Sequence, residues 1–278
     1  MKRDEAGRRV RSYFLLTFAI SWAAAAAVAA PDLLRGYGIS RLTAILMFPA
    51  MLLGPSVAGI TLTCVYRGRA GWRELRARML RWRAGWWWAL LLLPVLLLPA
   101  VLALLARFVS PAYGANHYWM GILFGLPAGF LEELGWTGFA YPAMLEAAGG
   151  KSGAAFTLAA DLGVLWVLWH LPVSDFLGAA QPHGADWLPF YLAFGVAMSA
   201  MRVLICWAYR HTESVLLAQA LHVSSTGALV VFGAFRVSPG QEALEYAVYG
   251  AALWLIVAVV VRLEGAGLRR PRATIQAA

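Results

Sequence analysis

Two adjacent glutamates, Glu132 and Glu133, lie inside an apolar stretch of the chain. An ionised carboxylate is strongly unfavourable in hydrocarbon, so such a pair is retained where it lines a wet cavity, is held by partners or takes part in chemistry. Two further apolar segments carry one histidine each, His170 and His222. A carboxylate and an imidazole from separate helices are together able to activate a water molecule for hydrolysis.

The spacing on a helix separates the roles of the two glutamates. Residues four apart share a helix face, so Glu132 projects with Trp136 and Glu133 with Thr137. The two carboxylates therefore cannot both face one substrate atom, and we assign them different roles. The alternative is that the glutamate pair has no catalytic role and simply ends a helix at the membrane surface. A rise of 1.5 Å per residue from Trp119 places Glu132 about 20 Å along the helix, within the hydrocarbon or at its inner edge.

Other polar residues occur within apolar segments. Trp166 shares a helix face with His170 by the same four-residue step. A lone histidine on an apolar face is more often structural, but His170, His222 and the glutamates lie on three segments that a bundle can bring together. Lipid cannot solvate them separately. Asp161 and Arg202 complete this inner polar set, and we expect each to be a structural partner.

The segments that carry these residues are predicted to be membrane helices. The chain is 61% hydrophobic and 13% charged over 278 residues, whereas soluble domains are about one quarter charged. A spanning helix needs about 20 mostly apolar residues, and the connections are short, which predicts one all-α, polytopic integral membrane domain over 1–278. The eight predicted spans are 13–31, 43–66, 86–109, 119–145, 153–175, 187–208, 213–233 and 242–262.

Charge placement predicts the orientation, because cytoplasmic loops are enriched in Lys and Arg. With the N-terminus inside, 18 of the 23 basic residues are cytoplasmic, four are outside and Arg202 is within a span. Both termini are therefore expected to be cytoplasmic, in a multi-pass protein of the plasma membrane. The net charge of +9 is explained by topology and by contact with anionic lipid headgroups, and no nucleic-acid partner is expected.

Two segments near the N-terminus need separate interpretation. The first apolar run, 13–30, follows basic residues as a secretory signal does, but its length of about 18 residues exceeds the usual signal core, and a retained helix is expected. The segment 67–83 carries seven arginines. Its apolar residues recur at three- and four-residue steps, which predicts a short amphipathic helix on the inner leaflet. These residues are Trp72, Leu75, Met79 and Trp82.

Three sequence blocks resemble the signature motifs of a known family. They are the block from Glu132-Glu133 to Pro142, the block Trp166-x-x-x-His170-Leu-Pro172, and the block from Tyr209 to His222. In this order and spacing they are similar to the CAAX-processing and bacteriocin-processing (CPBP) intramembrane proteases, also called the Abi or type II CAAX prenyl endopeptidase family. The resemblance places the protease core at 112–233.

The resemblance implies hydrolysis of a peptide bond inside a bundle of about eight helices. By position, Glu132 and His170 would hold and activate the attacking water, Glu133 would orient the site and His222 would stabilise the oxyanion. The supporting residues would be Trp136, Trp166, Arg202 and Thr226.

The cofactor follows less directly from these residues. Glu132, His170 and His222 are residue types that ligate a divalent metal such as Zn. No His-Glu-x-x-His pair fixes such a site. The residues are equally compatible with a water that is activated by Glu and His alone.

Two positions depart from the family's usual motifs. Thr137 stands where the first motif often has Arg, and Thr226 where the third motif usually has Asn. Because two neighbouring carboxylates need a cation in a low-dielectric bundle, we predict that Arg202 supplies it to Glu133; the alternative is that Arg202 extends to the headgroups. A hydroxyl at Thr226 is still able to donate to an oxyanion.

The sequence thus predicts an intramembrane endopeptidase that acts on a membrane-associated peptide or protein, of CAAX type or a leader peptide. One alternative is a non-catalytic membrane partner or immunity-type protein that keeps the fold. The other is a transporter, in which the Glu and His residues would relay protons. Transporters with internal repeats have matched broken helices in two halves, and the sequence has no such pairing.

Overall fold

The computed structural model describes residues 2–149, 153–178 and 182–268. These residues are almost entirely helical and contain no strand, which confirms the predicted all-α fold. The α-helices are α1 Lys2–Leu34, α2 Arg41–Met51, α3 Leu53–Met79, α4 Leu92–Phe108, α5 Ile122–Gly135, α6 Tyr141–Ala147, α7 Ala154–Trp169, α8 Trp187–Thr212, α9 Val215–Phe232 and α10 Pro239–Glu264. A π-helical segment, Trp136–Ala140, joins α5 to α6, and 3-10 turns at Gly85–Leu91, Pro111–Tyr113, Trp119–Gly121, Leu171–Phe176 and Gly184–Asp186 lie in the connections.

Within the described ranges, six helical stretches are long and apolar enough to cross a membrane. They are Arg3–Leu34, Arg41–Met79, Gly85–Phe108, Gly184–Thr212, Val215–Phe232 and Pro239–Glu264. The protein is therefore a multi-pass membrane protein, and these stretches correspond to six of the eight predicted spans. The other two differ from single long helices: 119–145 is divided at the π-helical segment, and 153–175 is the shorter α7 followed by a 3-10 turn. The count of eight stays a prediction.

The division of the fourth predicted span has a local cause. In the π-helical segment the amide of Tyr141 donates to the carbonyl of Trp136, five residues back. The next residue, Pro142, has no amide hydrogen, so the Gly138 carbonyl loses the donor that an α-helix would supply. The guanidinium of Arg78 replaces it, with Nη2 donating to Gly138 O at 3.0 Å. A side chain of α3 thus completes the backbone hydrogen bonding beside the glutamates.

Glycines bring α5 unusually close to α9. Gly125 and Gly129 lie one turn apart on α5, and a Cβ at these positions would lie 2.8 Å from Val223 O and 2.6 Å from Gln219 O. Such distances are too short for any larger residue, and small residues at four-residue spacing are typical of close helix packing in membranes. The close approach brings the two glutamates at the end of α5 against His222 of α9.

The basic segment 67–83 is not the separate surface helix that the sequence predicts. It continues α3 after a kink at Gly68, whose φ is 57° and ψ is −148°. Leu75 is fully buried and faces Gly138, whereas Trp82 is 63% exposed. The segment is amphipathic as predicted, but its apolar face packs partly against the helix bundle and is not directed only at lipid.

Several basic segments meet at one end of the bundle, which we call the basic end. The start of α1, segment 67–83, the α8–α9 turn and the end of α10 lie there, and ion pairs link α1 to α6, segment 67–83 to the α8–α9 turn, and α8 to α10. These are Arg9 with Glu146 at 3.4 Å, Arg81 with Glu213 at 2.7 Å and His211 with Glu264 at 2.7 Å. The arrangement agrees with the charge asymmetry of the sequence, while the cytoplasmic location of this end stays a prediction. Lys151, Arg269, Arg270 and Arg272 lie outside the described residues.

Candidate functional site

Glu133 is the most heavily bonded residue of the site. Arg202 of α8 places Nη1 2.8 Å from Oε1 and 2.9 Å from Oε2 of Glu133. His222 of α9 places Nδ1 2.8 Å from Oε1, and the hydroxyl of Thr137 donates to Oε2. Because three donors from different parts of the bundle converge on it, this carboxylate has little capacity left to bind water or substrate.

Arg202 has no exposed surface, so the alternative that it extends to the headgroups is wrong. Its guanidinium carbon lies 4.2 Å above the centre of the Trp166 ring, a cation–π contact that favours a buried cation. The predicted pairing of Arg202 with Glu133 is present. Thr137, which replaces the usual motif arginine, contributes a hydrogen bond to the same carboxylate instead of a charge.

Glu132 is held in a different way. The indole nitrogens of Trp136 and Trp166 donate to Oε2 at 3.1 Å and 2.7 Å. Both bonds go to the same oxygen, and no described residue forms a hydrogen bond with Oε1 of Glu132. As predicted from the four-residue step, Glu132 and Trp136 lie on one helix face. Two N–H donors on one oxygen stabilise a buried carboxylate and leave the other oxygen available to a water molecule.

His170 lies at the C-terminal cap of α7. Its Nδ1 lies 2.8 Å from the carbonyl oxygen of Trp166. Because a carbonyl oxygen only accepts, Nδ1 carries the hydrogen, and Nε2 of the neutral ring is an acceptor. The ring packs edge-on against Trp166 and Phe194, with ring centres 5.5 Å and 5.3 Å away. This packing fixes its orientation.

Trp166 is the common neighbour of these residues. Besides its bond to Glu132, its ring centre lies 5.5 Å from that of His170 and 5.1 Å from that of His222, and Arg202 lies over its face. Side chains of α5, α7, α8 and α9 thus surround one indole. Glu132, His170 and His222 are 3%, 9% and 1% exposed, so the arrangement is shielded from bulk solvent.

Two predicted polar residues are not part of this cluster. Thr226 lies one turn after His222, is half-buried and makes no hydrogen bond to a described residue. Asp161 is exposed, so the expectation that it belongs to the inner polar set is wrong. It precedes His170 by nine residues, and nine helical steps of about 100° place the two on opposite faces of α7.

The predicted metal ligands do not form a ligand set. Across the described ranges, no group of three or more His, Cys, Asp or Glu side chains is placed to hold a metal ion. Nδ1 of His222 is already bonded to Glu133. Within the described part of the chain, the residues present therefore do not fit a preformed metal site.

Two residues at the site were not identified from the sequence. Arg78 is one of seven arginines in a basic segment, and its burial depends on tertiary contacts with Gly138 and Tyr209. Tyr13 of α1 is fully buried, with its ring centre 5.6 Å from that of Trp136. A tyrosine at the start of an apolar run is more typical of a headgroup anchor, so nothing in the pattern indicates this contact.

A known protein family matches the region of the chain that contains this site. Residues 114–228 match the family model described as type II CAAX prenyl endopeptidase Rce1-like, and the range includes Glu132, Glu133, His170, Arg202 and His222. No curated protein sequence matches the chain. The family match implies protease activity of the CAAX type. Residues 114–228 therefore match a domain of the type II CAAX prenyl endopeptidase Rce1-like family, and this match agrees with the resemblance of the three motifs to the CAAX-processing and bacteriocin-processing proteases.

Proposed function

We propose that the protein is an intramembrane endopeptidase that hydrolyses a peptide bond of a membrane-associated substrate, of CAAX type or a leader peptide. The supporting observation is the unequal bonding of the two glutamates. Glu133 is saturated by Arg202, His222 and Thr137, whereas Glu132 keeps one carboxylate oxygen uncommitted. The second carboxylate thus orients the site and the first is suited to act on water.

In the proposed reaction, a water molecule lies between Oε1 of Glu132 and Nε2 of His170, the two acceptors that no described residue occupies. Glu132 takes a proton from the water as the oxygen attacks the carbonyl carbon of the scissile bond. The proton then passes to the amide nitrogen as the carbon–nitrogen bond breaks. The products are a free carboxylate and a free amine.

His222 and Glu133 support the charge that develops on the substrate carbonyl oxygen. Glu133 accepts from Nδ1 of His222 and so fixes the imidazole, whose Nε2 is a donor when the ring is doubly protonated. Arg202 holds Glu133 in turn and is a positioning residue. Thr226 lies on the same helix face as His222 and would add a hydroxyl donor after a change of rotamer.

The test uses the purified full chain in lipid nanodiscs with a synthetic peptide that ends in a prenylated Cys-aliphatic-aliphatic-X sequence. A second peptide is identical but not prenylated, and products are identified by mass spectrometry. Wild type should release the C-terminal fragment, and Glu132→Gln should reduce the rate by about 100-fold or more, as loss of a general base does. Glu146→Gln, whose side chain is 59% exposed, is the matched control and should retain the wild-type rate.

The substrate is searched independently by comparing membrane peptides of cells with and without the gene. If wild type cleaves neither synthetic peptide and no membrane peptide changes, the non-catalytic alternative is the correct one. If Glu132→Gln and wild type cleave at the same rate, the assigned general base is wrong. We also propose a plasma-membrane location, and the charge asymmetry supports placing both termini in the cytoplasm.

A further inference from the structure

A second cluster of buried titratable groups lies at the end of the bundle opposite the basic end. His183 precedes α8, and Glu242 and Glu245 lie in the first two turns of α10. Their exposed fractions are 2%, 5% and 2%. The proposed hydrolysis uses none of the three, although burial of two carboxylates beside an imidazole is unfavourable unless something offsets their charge.

The hydrogen-bond geometry of His183 requires a proton in this cluster. Nδ1 lies 3.0 Å from the carbonyl oxygen of Asp175, which only accepts, so Nδ1 carries the hydrogen. Nε2 lies 3.3 Å from Oε2 of Glu242. A lone pair on Nε2 would face an ionised carboxylate there, and Nε2 has no other partner among the described residues. Either the ring or the carboxyl group must therefore carry an additional proton.

Glu245 adds a second acceptor at the same place. Its Oε2 is buried and has no hydrogen-bond partner in the described part of the chain. Glu242 and Glu245 both line a cavity of about 10 Å³, which holds at most one water molecule. The cavity is too small for an organic ligand, and the described side chains do not form a metal-ligand group.

We propose that His183, Glu242 and Glu245 form a proton-binding site that fastens the segment after His170 to α10. The bound proton lies between Nε2 of His183 and Oε2 of Glu242, and Glu245 lies beside Glu242 at the same cavity. This site is independent of the proposed hydrolysis and needs no substrate.

The surrounding groups favour the protonated state. Asp175 is the other acid that faces His183, with Oδ1 3.8 Å from Nδ1, and Asp186 lies beside Gly240 at the start of α10. Among the described residues, the phenols of Tyr246, near Glu242 and Glu245, and of Tyr113, near Glu245, also face the cluster. Burial disfavours the charged form of His183, but the carboxylates of Glu242 and Asp175 outweigh burial and raise the pKa of His183 above its ordinary value.

The proton would hold a segment that begins at the candidate active site. The 3-10 turn Leu171–Phe176 starts at the residue after His170, and its Asp175 binds both the amide and the ring of His183. Gly178 lies against Glu242, since a Cβ there would approach Oε1 to 1.8 Å. Loss of the proton leaves the carboxylate of Glu242 facing a lone pair, and the segment should loosen from α10.

The sign of the pH effect follows from the raised pKa. A histidine with a raised pKa stabilises the folded state at pH values below its unfolded pKa, and this contribution is lost as the pH rises through the folded pKa. The 171–178 segment should therefore be held more firmly at about pH 6 than at about pH 9, on either side of the ordinary histidine pKa of about 6.5.

The test measures hydrogen exchange of the 171–178 segment and the unfolding temperature of the full chain in nanodiscs across this pH range. Exchange, corrected for its intrinsic pH dependence, should accelerate in wild type by about tenfold for each unit by which the pKa of His183 is raised. His183→Gln keeps a donor near Glu242 at every pH and should remove this dependence. Glu245→Gln should raise the unfolding temperature at about pH 9, and His117→Gln, at an exposed histidine of the same end, should behave as wild type.

Isotope-edited NMR of the wild-type histidines gives a readout that does not require a folded variant. His183 should titrate above the ordinary histidine pKa of about 6.5. Titration of His183 at or below that ordinary value would overturn the proposal. So would an exchange profile that has the same pH dependence in wild type and in a folded His183→Gln variant.

Discussion

Arg202 and Glu133 form an ion pair with no exposed surface on either side chain, and one guanidinium nitrogen lies 2.8 and 2.9 Å from the two carboxylate oxygens. The pair joins α8 to the end of α5. In the family's usual motif the cation is expected on the helix of the glutamates, where this chain has Thr137. In this chain the charged partner of the carboxylate lies on a different helix, and Thr137 contributes a hydrogen bond to the same carboxylate.

The first prediction concerns the coupling of this pair. Arg202→Leu leaves an uncompensated buried carboxylate and should destabilise the protein by about 3–5 kcal/mol. Glu133→Gln in the same chain removes the stranded charge, so the double variant should be more stable than Arg202→Leu alone. Unfolding in detergent measures both, and Arg262→Leu, at an exposed arginine, is the control. Additive losses in the single and double variants would show that the two residues are not coupled.

This pairing could be predicted from the sequence because Arg202 is the one arginine well inside a predicted span. A cation in lipid needs an anion, and few anions were within reach. Arg78 could not be found in the same way, since six other arginines surround it in segment 67–83 and charge alone does not distinguish them. Which of the seven is buried depends on the packing of α3 against the π-helical segment, a tertiary contact that periodicity does not encode.

The second prediction concerns the support of Glu132 by Trp166. Trp166→Phe keeps an aromatic ring but removes the N–H that donates to Oε2 at 2.7 Å. A hydrogen bond to a charged group contributes about 1.5–3 kcal/mol, so kcat should fall by roughly 10- to 100-fold while KM changes little. Trp136→Phe removes the longer bond of 3.1 Å and should reduce kcat less. A change confined to KM would indicate substrate binding instead of support for Glu132.

The third prediction concerns the unpaired carbonyl of Gly138. Arg78 donates to it at 3.0 Å and to the Tyr209 hydroxyl at 2.6 Å, so Arg78→Met should destabilise the protein by about 1.5–3 kcal/mol or more. Pro142→Ala restores a backbone N–H that is able to pair with Gly138, and adding it to Arg78→Met should recover part of the loss. Thermal unfolding of the two variants and their combination checks this.

Arg76→Met is the matched control for Arg78→Met. Arg76 lies in the same turn of α3 but is exposed, and an exposed substitution should change stability by less than about 0.5 kcal/mol. Equal losses at positions 76 and 78 would mean that segment 67–83 depends on net charge, and that the bond to Gly138 has no special role.

The positions of the helices could be predicted from the sequence, but their interruptions could not. Hydropathy located the regions that contain α5 and α7, because it averages over many residues. It could not show that 119–145 is interrupted, since the interruption depends on which backbone carbonyls lose their donors near Pro142. Likewise, the three- and four-residue steps in 67–83 correctly indicated an apolar face. They could not show whether Leu75 faces lipid or the bundle, and Leu75 is fully buried.

The last prediction concerns topology. Arg76 belongs to the basic end and His117 to the opposite end, and both side chains are exposed. In a Cys64→Ser background, which removes the exposed native cysteine, His117→Cys should react with a membrane-impermeant maleimide in intact cells. Arg76→Cys should react only after permeabilisation, because the charge asymmetry places the basic end in the cytoplasm. The buried Cys206 should stay unreactive in both. The opposite labelling pattern would invert the assigned orientation, and labelling of both positions from outside would contradict the placement of these two residues at opposite ends of the bundle.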